Sequence, residues 1–145
     1  MSENGYADAP WEDAPEETLP PEGEYDLRIV GKEERPTKGS SEPYKPVRRM
    51  IVVSMRIEAA EDYQGVQHFL VFPNKDEWDR DDEDAYNKAK MMLRNIRRFL
   101  RVFGINETDF NPDDLDGATG RGTIRHEYNE NDGENYPRLR LPRAK

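Results

Sequence analysis

The residues of this chain with chemistry to offer are bases and rings that sit close together. Residues 35–56 hold six bases (Arg35, Lys38, Lys45, Arg48, Arg49 and Arg56) against Glu42 alone, with Tyr44 beside Lys45. Residues 88–101 hold six more and no acid, and residues 138–145 add four. Cations spaced along a track attract a polyanion, and flat rings among them offer surfaces on which unpaired bases stack. The plainer account of each cluster is a solvated face. Candidate rings are Tyr44, His68, Phe72, Trp78, Tyr128 and Tyr136; for each one singly, burial in a core is the simpler explanation. Phe69 is assigned to the core with Val71, which leaves His68 and Phe72 facing outward. Arg121, Arg125, Arg138 and Arg140 alternate along the last two extended segments and would lengthen the track.

Catalysis finds few residues. His68 and His126 sit in separate strands, without a cysteine, a nucleophile-elbow pattern or a usefully spaced acid. Asp109, Asn111 and Asp113 begin like a calcium loop, but its sixth position is Asp114 instead of Gly and its twelfth is Gly120 instead of Glu. The acids of 79–84 would hold a divalent cation weakly, and an acidic cap on the following helix explains them more simply. Neither a glycine-rich phosphate loop nor a meaningful sequon is present, since Asn106-Glu107-Thr108 matters only on secretion. The expectation is a non-enzymatic protein with no cofactor and no metal.

With 145 residues, 34% hydrophobic and 37% charged, the chain supports one domain with a small core and leaves part of itself unfolded. It has no cysteine, which suits a reducing compartment. It also lacks an apolar run of about 18 residues and opens on acids instead of a signal peptide. A soluble, cytoplasmic protein without membrane contact is expected. The net charge of -9 is unevenly spread: residues 1–22 hold seven acids and no base, which leaves -2 for the rest. The block at 76–84 is itself at -6, so the remaining body is mildly basic. Residues 1–22 read as a disordered acidic tail carrying Trp11, either a docking element or an idle ring, and residues 23–145 as the folded domain.

Tyr25, Leu27 and Ile29 alternate in a first strand. A loop broken by Gly31, Pro36, Gly39, Pro43 and Pro46 delivers Lys38, Tyr44 and Lys45 to a second strand at 47–59, in which Ile51, Val53, Met55 and Ile57 share one face. VQHFLVF makes a third strand. Ala85, Ala89, Met92, Ile96, Phe99, Leu100 and Phe103 then recur at helical spacing, with Asp82–Asp84 at the dipole's positive end and Gly104 at the left-handed stop. Two further strands, RGTIRHEY and YPRLRLP, are joined through Asp132-Gly133.

Three strands, a helix and two strands is the element order of the OB-fold, so the expected class is mainly β, a five-stranded OB-fold-like barrel with one α-helix between strands 3 and 4. In PPEGEYDLRI, in the basic loop entering a long second strand, in FLRVFGI and in DLDGATGRGTIRHEYNENDGENYPRLRLP, the chain resembles the bacteriophage single-stranded-DNA-binding and recombination-associated proteins, over roughly residues 20–143. The resemblance implies sequence-tolerant coating of single-stranded DNA during phage replication or recombination, in the host cytoplasm. Strand two would turn Arg48 and Arg56 toward phosphates, while Tyr44 and Lys45 close one end of the groove. Acidic tails of such proteins recruit replication and recombination partners, though the familiar ones are C-terminal. Competition with DNA for the basic groove and simple solubilisation are the other roles open to this tail. Homo-oligomers are frequent in that group. Two alternatives stand beside this reading: an OB-like adaptor or DNA-mimicking inhibitor, and, less favoured, a metal-dependent nuclease using the acids around 79–84.

Overall fold

The computed structural model describes residue 9 and residues 17–41, 44–78 and 82–141. Most of the expected acidic tail, with Trp11, therefore lies outside the described residues, as do Asp79, Asp81 and Pro142.

Strand β1 (Gly23–Pro36) leads into a small ladder of β2 (Ser40–Ser41) with β3 (Tyr44–Lys45), then β4 (Arg49–Ile57) and β5 (Val66–Phe72). A four-residue helix α1 (Lys75–Trp78) and the long α2 (Glu83–Val102) follow, then a 3-10 turn (Pro112–Leu115), β6 (Thr119–Asn129) and β7 (Glu134–Arg140). The five long strands form one antiparallel sheet in the order β5-β4-β1-β6-β7. The fold is thus mainly β with the expected connectivity and helix position. The sheet is not closed: β5 and β7 approach one another, but no ladder joins them among the described residues.

Period-two alternation places Leu27, Ile29, Ile51, Val53, Met55 and Ile57 on the inner face. Helix α2 covers that face with Ile96, Phe99 and Leu100, and Phe103, Leu115, Ile124 and Leu139 complete the core. Asp82 caps α2, accepting from the backbone N–H groups of Asp84 and Ala85. Gly104 ends it at φ 68°, where a side chain would be strained. Gly120 has a different duty. A Cβ there would stand 2.1 Å from the Val102 carbonyl oxygen, so only glycine lets β6 pass the end of α2.

The assignment of residues 1–22 to a disordered tail needs correction at its end. Thr18 bridges Tyr63, its N–H donating to the Asp62 carbonyl, and Pro20 is buried with its own carbonyl 2.7 Å from His126 Nε2. Proline-rich composition suggested a loose chain; burial of one proline ring anchors residues 17–22 to the domain. No helix among the described residues is long and apolar enough to cross a membrane.

Candidate nucleic-acid interface

The outer face of β1, β4 and β5 is built in cross-strand rows. Arg35, Met50 and Val71 form one, Glu33, Val52 and Phe69 the next, and Gly31, Ser54 and Gln67 a third. Val52 is 4% exposed although it lies outside the core cluster, and Phe69 beside it is 41% exposed. A solvent-facing ring thus rests on a sheet, held by its neighbours, as a stacking surface requires.

This corrects the sequence reading of 66–72. Phe69 and Val71 face out; His68 and Phe72 face in. The His68 ring stacks on Phe99 at 4.6 Å between centroids and 3° between planes, and burial, with the charge of Arg138 nearby, pulls its pKa down to about 4. Phe72 packs against the core and lines a groove at the end of the sheet. VQHFLVF has apolar residues at both parities, so its own pattern does not choose a face. The ladder with β4 chooses, by pairing His68 with inward Val53.

The predicted cations divide into three groups. Arg48 is withdrawn: its Nε and Nη2 donate to the two oxygens of Glu77 in α1 at 2.8 and 2.9 Å, each side chain 10% exposed. Thr37 turns it there, because its hydroxyl and N–H bond the Arg48 backbone at 2.9 and 2.8 Å. The Glu77 pKa is lowered chiefly by the Arg48 hydrogen bonds, against the opposing effect of burial. Arg48 is therefore a structural ion pair, not an outward phosphate contact.

A second group, exposed at Arg56 and Arg121 and half-buried at Arg138, is paired. Arg56 meets Glu17 at 3.2 Å, Arg121 meets Glu24 at 2.9 Å and Asp26 at 3.0 Å, and Arg138 meets Glu127 at 3.1 Å. The Asp26 and Glu24 carboxylates raise the Arg121 pKa still further. The third group, Lys38, Lys45, Arg49, Arg125 and Arg140, is exposed and forms no ion pair among the described residues. Arg35, which sequence reasoning counted as basic but did not place, joins it on the outermost row of the face. Tyr44 pairs through its backbone with Ser41 in the small hairpin; its side chain lies outside what is described.

Trp78 is 44% exposed and lines the same groove as Phe72, between the start of β4 and the two helices. Tyr128 is 60% exposed, and the Tyr136 hydroxyl donates to Asp132 at the β6–β7 turn. The basic helix face is in part structural: Arg97 and Arg101 reach Glu107, and Lys90 lies 4.7 Å from the Tyr86 ring centroid. The acids of the failed calcium loop have structural partners as well. Asp113 and Asp116 hold Lys32, while Asp114 and Asn111 close a capping box. Among the described residues no group of three or more His, Asp or Glu is arranged to hold a metal ion.

No family model matches the sequence, and no curated protein matches it at a significant level.

Proposed function

We propose that this protein binds single-stranded DNA without sequence preference and without catalysis, coating strands during phage replication or recombination. The observation that carries the reading is the conjunction, at one end of the sheet, of the exposed Phe69 ring with cations that have no ion pair among the described residues: Arg35 in the neighbouring row of the outer face, Arg49 at the start of β4 on the opposite parity, and Lys38 and Lys45 around the hairpin. Phosphates take the cations, releasing counterions, and a base takes the ring. Because neither contact reads a base edge, sequence preference is weak.

Fluorescence anisotropy of labelled oligo-dT and a matching duplex, at low and high salt, tests the proposal. Preference for oligo-dT that weakens with salt and falls in Phe69→Ala and in Arg49→Ala supports it. Equal or absent binding of both ligands in the intact chain discards it. An adaptor that binds protein is the second reading, favoured on the β6–β7 side, where carboxylates already neutralise Arg121 and Arg138.

A further inference from the structure

A groove of about 760 Å³ lies at the Arg49 end of β4. Its walls expose large apolar side chains: Val47 is 57% exposed, Trp78 44% and Leu93 43%, with Phe72 and Phe110 beneath. Arg35, Arg49 and Lys75 rim it without ion pairs, and Glu34 is the one carboxylate in the lining, among the described residues. Contiguous exposed apolar surface of this kind marks a docking site. Mixed aliphatic and aromatic walls take a large hydrophobic side chain, and the cationic rim asks for acids beside it. A segment of that chemistry precedes the domain: Trp11 stands among Asp8, Glu12, Asp13 and Glu16, with no base anywhere in residues 1–22.

We propose that Trp11 and its flanking acids from one copy dock in this groove of a second copy, joining molecules head to tail. Reach favours a second copy over the same one. Glu17 is bonded to Arg56 and Thr18 is bridged to Tyr63, so the segment leaves the domain at the opposite end of β4. From Arg56 to Met50 at the groove is six residues of strand, about 20 Å. From Glu17 back to Trp11 is also six residues, at most about 20–22 Å when fully extended. That length is spent on the straight path, whereas the groove opens beyond the strand end, toward α2. Donor and acceptor surfaces differ, so the contact is heterologous and repeats from copy to copy into an open series. The groove shares Arg35 and Arg49 with the proposed DNA surface but does not include Phe69.

Sedimentation velocity of the full chain without DNA tests it. The expected result is a mass that rises with concentration above that of one chain, and its loss in both Trp11→Ala and the groove variant Leu93→Glu. An equimolar mixture of the two variants retains one intact donor and one intact acceptor, so it should form dimers and nothing larger. Arg49→Glu, a charge reversal at an exposed rim position, repeats the groove test without touching apolar packing. A wild-type chain that stays monomeric, a Trp11→Ala chain that assembles like wild type, or a variant mixture that stays monomeric would each overturn the proposal. So would Leu93→Glu losing oligo-dT affinity while keeping wild-type mass, which would make the groove part of a DNA path.

Discussion

Arg121 and Arg49 are both exposed arginines on strands of one sheet, yet Arg121 is held by Glu24 and Asp26 of β1 while Arg49, opposite Pro36 and Phe72, forms no ion pair among the described residues. The same contrast separates Arg138, paired with Glu127, from Lys38 and Lys45 at the hairpin. Availability of a cation is thus set by its cross-strand neighbours and not by its own residue type or spacing. Exposed pairs of this kind are worth about 0–1 kcal/mol, so phosphate displaces them at small cost. Their effect is to neutralise Arg121 and Arg138 on the β6–β7 side, where Arg125 and Arg140 stay without an ion pair among the described residues, and to leave Arg35, Lys38, Lys45 and Arg49 as the larger group of such cations at the β2–β3 end.

Arg48 is the exception at that end, and removing its partner is the largest expected effect. Glu77→Ala should cost about 3–5 kcal/mol of stability by removing the carboxylate that compensates a largely buried guanidinium, read from urea unfolding. A cost near zero would mean that Arg48 is free to serve as a phosphate ligand after all. The paired change Arg48→Met with Glu77→Leu should recover most of the loss.

His68 lies between the two regions, inward on β5 and near Arg138 of β7. Its folded pKa is about 4 against an ordinary 6.5, so the unfolded chain binds the proton more readily in that window. Stability is therefore full above pH 6.5 and declines as pH falls toward 4, by up to about 3 kcal/mol. Glu77, with its pKa lowered below the ordinary 4.5, adds its own loss below that pH. His68→Phe should flatten the window between 6.5 and 4, and an unchanged slope in that variant would return His68 to the outer surface.

On the face itself, Phe69→Ala should weaken oligo-dT binding by about 1–3 kcal/mol with little change in unfolding, since the ring is exposed. The cations give the smallest and most discriminating effect. Arg49→Ala and Lys45→Ala should each reduce the salt slope of binding by about 0.7, the value for one released counterion on a single strand. Arg121→Ala should reduce it by less, and equal slopes would erase the difference between the two ends.

How much was legible is clearest in particular elements. Helix α2 was, because Ala89, Ile96, Phe99, Leu100 and Phe103 recur at its period and both ends carry their own capping residues, Asp82 and Gly104. Strand β4 was too, since Ile51, Val53, Met55 and Ile57 share one parity while Ser54 and Arg56 break the apolar run on the other. Strand β5 was not: seven residues with apolar side chains at both parities fit either face equally well. The carboxylates that claim Arg56 and Arg121 stand 39 and 95–97 residues away in sequence, a separation no spacing rule spans.

The sequence alone determined the element order, the inner face of β1 and β4, the limits of α2 and the uneven distribution of charge. These follow from local periodicity, capping and composition, which need no distant partner. Only the tertiary structure decided which ring faces solvent, which arginine is withdrawn against Glu77 and which cations remain without an ion pair. Those outcomes depend on the register of β5 on β4 and of β6 on β1, which long-range backbone pairing sets.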